Sequence, residues 1–247
     1  MSLTRTQLAR AAALEERQLR LRRLHRMSDR ELRALLTGDP AEAAAWVRSA
    51  AEHGIVAAQL RLGRLLLEGR GVPRDEREAF TWFARAADRG DAEALNMAGR
   101  CHENGWGVPV DLSLAAACYR RSAAAGYDWG EYNLANMLFD GRGAARDRRQ
   151  ALYWYLRAAR QGHGRAMNLI GRCLEEGWGC PRSLSEAAYW YRRSAEAGYF
   201  RGQFNHASVL AEQGHTALAA EWFRKAAAGG NDAIRRASAG ALHMIGA

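Results

Sequence analysis

Apolar and small residues along this chain follow the spacing of amphipathic helices. Ala58, Leu62 and Leu66 stand at i, i+4 and i+8, so they line one face of a helix that runs from about residue 57 to 68. The next apolar set has the same kind of spacing and consists of Ala79, Trp82, Phe83 and Ala86. Gly69 lies where the first helix should stop, because glycine supplies the left-handed conformation that often ends helices. The pattern predicts two helices, here called helix A and helix B, joined by a short turn.

Helix B is predicted to begin at a side-chain cap. Asp75 stands three residues before Glu78, which is the spacing of a capping box, in which each side chain bonds the backbone N–H of the other residue. Similar pairs are Asp147 with Gln150, Ser183 with Glu186, and Ser28 with Glu31 before a short helix that ends near Gly38.

The two helices repeat with a period of 36 residues. One glycine recurs at this interval, as Gly54, Gly90, Gly126, Gly162 and Gly198. A tryptophan stands eight residues before these glycines, except at Cys118, and a Gly-x-Gly turn recurs at 69–71, 105–107, 141–143 and 177–179. Because one helix pair cannot bury its own apolar face, such repeats must stack into a solenoid. We expect small residues such as Gly63 and Ala79 to let backbones approach closely, while the tryptophans fill the gaps between layers.

The repeats define a domain organisation. The predicted segments are a basic N-terminal helical cap (1–38), an incomplete repeat with helix B only (39–54), four full repeats (55–90, 91–126, 127–162 and 163–198), a shortened repeat (199–230) and a C-terminal capping helix (231–247). A shortened final unit and a last helix, over 232–244, agree with the need for atypical terminal repeats in solenoids.

Between Ala58 and Gly90 the chain reads A-x-x-x-L-G-x-x-x-x-x-G-x-G-V-x-x-D-x-x-x-A-x-x-W-F-x-x-A-A-x-x-G. This register resembles the Sel1-like repeat, a relative of the tetratricopeptide repeats. The resemblance implies an all-α fold, a right-handed α/α superhelical solenoid with a concave groove, and a function as an adaptor or scaffold for proteins. Cys118 in place of a tryptophan and Cys180 in place of a valine depart from the pattern.

The second and fourth full repeats resemble each other more than they resemble their neighbours. They share Gly-Arg-Cys in helix A, Arg-Arg-Ser in helix B, and a tryptophan in the turn, at Trp106 and Trp178. The underlying unit is therefore 72 residues. The two tryptophans either pack on adjacent turns or contact a partner at the edge of the solenoid.

Helix A should line the inner wall of the groove, so its polar positions are the candidate partner-binding residues. These are Arg64, Asn96, Arg100, Tyr132, Asn136, Asn168 and Arg172. Asparagine can bridge peptide amides, and arginine can pair with carboxylates. The alternative is that they are ordinary solvated helix residues.

Composition agrees with an all-α protein and gives no sign of an enzyme. The chain has 50 alanines but only 15 β-branched residues in 247, too few for a sheet protein. No catalytic motif, cofactor loop or metal-ligand spacing is present, and Cys101-His102 near Cys118 is a poor match to a zinc site. We therefore predict no catalysis, no cofactor and no metal. Four scattered cysteines and the lack of a long apolar run favour a cytoplasmic protein, most simply a monomer.

The net charge of +9 is concentrated at the N-terminus, where residues 1–27 carry seven arginines and two glutamates. Its basic arm comprises Arg17, Arg20, Arg22, Arg23 and Arg26. This amphipathic segment either covers the end of the solenoid or binds an acidic protein, nucleic acid or an anionic membrane. Nucleic acid is the weaker choice, because the segment has no aromatic side chain on which a base could stack. The leading prediction is a protein or peptide partner, which could be acidic, and the alternative is binding through this arm.

Overall fold

A computed structural model describes residues 37–247 and, before them, Leu19, Arg20, Met27 and Arg30. The helix predicted for residues 6–27 and the capping box of Ser28 and Glu31 fall largely outside the described residues. Within the described part, the helices are α1 (Pro40–Glu52), α2 (Val56–Glu68), α3 (Glu76–Asp88), α4 (Ala92–Asn104), α5 (Leu112–Ala124), α6 (Asp128–Asp140), α7 (Arg148–Arg160), α8 (Gly164–Glu176), α9 (Leu184–Glu196), α10 (Phe200–Glu212), α11 (Thr216–Gly229) and α12 (Asp232–Met244). The described residues contain no strand.

The chain forms two compact units, residues 1–111 and 112–247. Within the first unit, consecutive helices from α1 to α4 pack against each other. Within the second unit, consecutive helices from α5 to α12 do the same. In the second unit α8 also contacts α10, and α10 contacts α12, so alternate helices form one layer. This arrangement of stacked helix pairs confirms the predicted all-α solenoid. No helix among the described residues has the length and apolar character needed to cross a bilayer.

The Gly-x-Gly turns fix the connection from helix A to helix B. The first glycine is the left-handed C-cap of helix A, as at Gly69 with φ 67°. The second glycine lies against the start of the preceding helix B: a Cβ at Gly71 would be 2.0 Å from the carbonyl oxygen of Pro40, and one at Gly143 would be 1.9 Å from that of Leu112. Any side chain would clash with this backbone, so the turn requires glycine twice, for conformation and for contact.

The predicted N-caps at Asp75, Asp147 and Ser183 are confirmed, but the reciprocal capping box at Asp75 is wrong. The Asp75 carboxylate accepts from the Glu78 backbone N–H (2.8 Å), whereas its own N–H donates to the Leu66 carbonyl of helix A (3.0 Å). The Glu78 carboxylate instead accepts from the Trp82 indole (3.1 Å) and from Arg48. The turn brings Asp75 back onto helix A. Its backbone N–H, which a capping box would bond to the Glu78 side chain, is therefore already bonded to Leu66.

The aromatic residue after each tryptophan position fills the core. The most buried rings are Phe83, Tyr119, Tyr155, Tyr191 and Phe223, each 0–2% exposed. The small residue of helix A makes room for this ring: a Cβ at Gly63 would lie 2.5 Å from Phe83, and one at Gly171 would lie 2.6 Å from Tyr191. The expectation that small residues at this position serve backbone approach, with tryptophans between the layers, is therefore corrected. Trp82 is buried, but Trp154 and Trp190 are only half-buried.

A second small position couples each helix B to the next helix A. In the second unit, Ser194 of α9 is fully buried and donates to the Gly164 carbonyl (2.7 Å). Opposite it stands Gly202, where a Cβ would lie 2.1 Å from the serine oxygen. At the equivalent place between α7 and α8, both residues are buried alanines, Ala158 and Ala166. A serine–glycine pair therefore occupies the place that an alanine–alanine pair occupies one repeat earlier, which accounts for part of the 72-residue alternation.

Candidate functional site

The polar cleft of the second unit is formed by α8, α10 and the first turn of α12, with one residue from α9. Its volume is about 300 Å³. The lining residues are Asn168, Arg172, Glu175, Tyr191, Arg201, Phe204, Asn205, Asn231, Ala233 and Ile234. Two of the predicted groove residues, Asn168 and Arg172, lie here. The other five predicted groove residues do not line it.

Two asparagines form the polar centre of this cleft. Asn168 is 4% exposed, and its side-chain oxygen accepts a hydrogen bond from the Asn205 amide at 2.8 Å. This bond orients both carboxamides. The bond does not use the side-chain oxygen of Asn205, which is an acceptor, or the side-chain amide of Asn168, which is a donor. A carboxamide pair of this kind can bond the N–H and C=O groups of an extended chain.

The charges around the asparagines are unequal. Arg172 and Arg201 are exposed at the cleft, whereas Glu175 accepts a hydrogen bond from the Tyr191 hydroxyl at 2.5 Å. Burial, followed by this hydrogen bond to Glu175, raises the pKa of Tyr191 far above its usual value, so the phenol remains a donor. The charged residues of the lining are two arginines and one glutamate, so positive charge is in excess, which favours an acidic ligand.

The predicted edge tryptophans and two of the predicted wall arginines contact each other. The Arg100 guanidinium carbon lies 4.9 Å from the ring centroid of Trp106, and that of Arg172 lies 5.3 Å from the centroid of Trp178. Both indoles are half-buried, as in the interpretation that they pack on adjacent structure. Such stacking holds a guanidinium in place and leaves its N–H edge free for hydrogen bonds.

The other predicted groove residues have partners within the protein. Arg64 forms an ion pair with Glu93, and Asn96 is 4% exposed. Tyr132 stacks on His163 with ring centroids 4.7 Å apart, and Asn136 accepts a hydrogen bond from the hydroxyl of a buried tyrosine, Tyr155, at 2.7 Å. These contacts place the four residues in the packing of the helices and do not gather them into one surface.

Sequence reasoning missed three residues that surround the cleft or its edge. Arg201 and Asn205 belong to the shortened repeat, where no polar pattern recurs, and Arg148 is the first residue of a helix B. The spacing of helix A carries no signal for these residues, because their contacts are made with a different helix.

The thiols of helix A belong to the core. Cys101 and Cys173 are 0% and 1% exposed, and all four cysteines are free. Burial raises the pKa of Cys173 to about 12, which makes it a poor nucleophile at neutral pH. Among the described residues, no three His, Cys, Asp or Glu side chains are grouped as a metal site would need.

Of the basic arm, only Arg20 belongs to the described residues. Its guanidinium carbon lies 5.9 Å from the ring centroid of Trp46. Arg17, Arg22, Arg23 and Arg26 lie outside them.

Repeated helix pairs that each pack against their neighbours define the class of α-solenoid repeat proteins. A family model described as the Sel1 repeat matches residues 31–55, 56–91, 92–127, 130–163, 164–199 and 216–231. The chain belongs to the Sel1 repeat family.

Solved structures agree with this assignment. A protective antigen of uropathogenic Escherichia coli with this repeat fold is 33% identical, with a TM-score of 0.68 over 79% of this chain and 43% of that chain. The present chain thus spans less than half of that protein. A Sel1 repeat protein from Oxalobacter formigenes is 26% identical over 75% and 76% of the two chains, with a TM-score of 0.69. An immunity protein from Pseudomonas aeruginosa, 19% identical over 87% and 80% of the chains with a TM-score of 0.51, shows the fold alone.

Among curated proteins no significant match was found. Sel1 repeats generally mediate protein–protein interaction, and the proteins that contain them are generally adaptors without catalytic activity. The comparisons give no support to the alternative of nucleic-acid or membrane binding through the arm.

Proposed function

We propose that this protein is a non-enzymatic adaptor that binds an extended segment of a protein partner in the cleft between α8, α10 and α12. The carrying observation is the Asn168–Asn205 pair, a hydrogen-bonded carboxamide pair in a cleft of about 300 Å³. The mutual bond uses one donor and one acceptor, and the other polar groups of the two carboxamides agree with a ligand backbone as their partner. The proposed site is narrower than the wall predicted from the sequence, which extended over four repeats.

The cleft matches a peptide in chemistry as well as in size. The carboxamides offer both donors and acceptors to a backbone amide, and half-buried Phe204 offers an apolar contact to a side chain. Free thiols at all four cysteines agree with the proposed cytoplasmic location, where thiols stay reduced. We propose that the protein acts there as a monomer.

The test is a selection of random peptides displayed on phage against the full chain, followed by fluorescence anisotropy with a labelled synthetic copy of an enriched peptide. We expect Asn205→Ala to raise the Kd at least about tenfold, because it removes the partner that orients Asn168 and one acceptor for the peptide. Asn104→Ala is the matched control, since Asn104 is exposed on α4 and is not part of the cleft.

Two results would contradict the proposal. One is the absence of any enriched peptide, and the other is equal binding by the Asn205→Ala and Asn104→Ala variants. Substitution of the five arginines of the arm by glutamine separates this function from the alternative. The Kd should stay unchanged if the cleft is the site, and loss of binding would identify the arm as the main contact.

A further inference from the structure

Two arginines from successive repeats lie near one indole of the second unit. The ring of Trp178 has two guanidiniums near it, since the Cζ atoms of Arg148 and Arg172 each lie 5.3 Å from its centroid. Arg148 also lies 5.1 Å from the ring centroid of Phe139, which meets Trp178 edge-on at 5.4 Å. The cluster adjoins the cleft, because Arg172 belongs to both.

Among the described residues, no carboxylate lies within ion-pair distance of Arg148 or Arg172, and the Nε of Arg148 is buried without an acceptor. Glu175, the acid nearest in sequence to Arg172 in the cleft, bonds Tyr191. Two like charges gathered at one ring disfavour each other, and a buried N–H without an acceptor adds to that cost. A bound anion would balance the two charges and supply an acceptor for Arg148.

The aromatic rings prepare the arginines for such an anion. A guanidinium that lies over a ring is held by its face, while its N–H groups point outward in the plane. A carboxylate fits these N–H groups with two parallel hydrogen bonds. Because the stacking fixes the side chains before binding, less conformational entropy is lost when the bonds form.

The equivalent pair in the second repeat lacks the second arginine. Arg148 is the residue against which the turn glycine Gly179 packs, since a Cβ there would lie 2.6 Å from its carbonyl oxygen. The residue in the same relation to Gly107 is Glu76, at 2.2 Å. Trp106 therefore has Arg100 near it, while Glu76 occupies the position that Arg148 has relative to Trp178. The 72-residue alternation predicted the same wall twice, but this feature distinguishes one copy.

We propose that Arg148 and Arg172, held on Trp178, form the anchor for a carboxylate side chain of the segment bound in the neighbouring cleft. The proposal rests on the proposed peptide-binding function and adds the chemistry of the partner: an acidic residue at one fixed position of the segment. Arg148 then determines specificity, and the fourth repeat, not the second, carries the site.

The test uses the same selection on the full chain. We expect the enriched peptides to share an Asp or Glu at one position. Arg148→Gln and Arg172→Gln should each raise the Kd about tenfold, the effect of one charge-assisted hydrogen bond at a half-exposed site. Arg100→Gln is the matched control and should leave the Kd unchanged.

A peptide with glutamine at the acidic position completes a double-mutant cycle. It should bind the wild-type protein at least about tenfold more weakly, because it loses the charged contact with both arginines. It should lose little further affinity on the Arg148→Gln protein, because its contact with Arg148 is already absent. Arg148→Lys should give an intermediate Kd, since it keeps the charge but loses the two-pronged geometry. Circular dichroism verifies that each variant is folded. If Arg148→Gln does not fold, Arg172→Gln, at an exposed residue, still tests the proposal.

The possible failures are distinct. Enriched peptides without a fixed acid, or equal weakening by Arg148→Gln and Arg100→Gln, would overturn the carboxylate anchor and leave peptide binding in the cleft intact. If no peptide is enriched at all, the proposed function fails and the anchor with it.

Discussion

The serine–glycine contact between α9 and α10 gives a quantitative test of the packing. A Cβ added at Gly202 would lie 2.1 Å from the Ser194 oxygen and 2.9 Å from the Ser194 carbonyl carbon, whereas ordinary contacts begin near 3.4 Å. Gly202→Ala must therefore separate the helices or rotate Ser194 away from the Gly164 carbonyl, with which it now forms a 2.7 Å hydrogen bond. Either response disturbs a fully buried site.

The expected loss follows from three contributions. Overpacking in a core costs about 1–3 kcal/mol, and the broken hydrogen bond costs about 1 kcal/mol. The higher helix propensity of alanine offsets about 0.5–1 kcal/mol of this. Gly202→Ala should thus lower the free energy of unfolding by about 2 kcal/mol, and Ser194→Ala should lower it by about 1 kcal/mol.

The double variant restores the alanine pair that the chain already uses at Ala158 and Ala166. Its loss should be smaller than the sum of the single losses by about 1 kcal/mol or more, because the alanine at 194 no longer carries the clashing oxygen. Urea unfolding followed by circular dichroism measures all three variants. Gly240→Ala is the matched control: this exposed glycine of α12 has no atom near a new Cβ, so the substitution should stabilise by about 0.5–1 kcal/mol.

Strict additivity in this cycle, or a Gly202→Ala protein as stable as the Gly240→Ala protein, would refute the explanation of the alternation by steric coupling. The measurement also separates helix propensity from packing, since both variants make the same chemical change in a helix.

Three further predictions concern the turns, a buried acid and the thiols. Gly143 and Gly162 both have a left-handed φ (66° and 89°), but only a Cβ at Gly143 would clash with backbone. Gly143→Ala should therefore lower the Tm more than Gly162→Ala, and equal losses in a thermal melt would contradict this. Burial raises the pKa of Glu131, so the contribution of this acid to stability is fully present below the unfolded pKa of about 4.5 and is lost as the pH rises through the higher folded pKa. In urea titrations over that pH range, Glu131→Gln should therefore lose less unfolding free energy than the wild-type protein, and an unchanged pH profile would refute the assignment. The Cys173 thiol, with its pKa raised to about 12, should react with a disulfide reagent only after unfolding, whereas half-buried Cys180 should react in the native protein. Fast labelling of Cys173 in a native Cys180→Ser variant would contradict the burial of Cys173.

Much of the fold is predictable from the sequence because its determinants are local. The left-handed glycines, the N-caps and the spacing of small and apolar residues each act within a few residues, and they place the helix ends close to their observed positions. α2 was expected over about 57–68 and is Val56–Glu68, and α12 was expected over 232–244 and is Asp232–Met244. The period itself then requires stacking, since a single pair leaves its apolar face exposed.

The core required more than periodicity. Trp82 is the conspicuous residue in the repeat, yet Phe83 is the ring that is fully buried, because it faces the space left by Gly63. Sequence reasoning also missed Glu131, which is 0% exposed and pairs with Arg157 of α7 at 3.0 Å and with Gln161, the C-cap of α7, at 2.9 Å. No local signal reports such a pairing, because it joins residues about 30 positions apart.

The candidate site illustrates the same division. The sequence by itself determined that helix A would carry Asn168 and Arg172 toward a polar wall, because position along a helix fixes the face. Only the tertiary structure decided that Asn205 would bond Asn168 and that Arg148 would join Arg172 at Trp178, since these contacts depend on how successive helices pack. Helix periodicity is a property of neighbouring residues, whereas a binding site is formed by side chains that stacking brings together from different repeats.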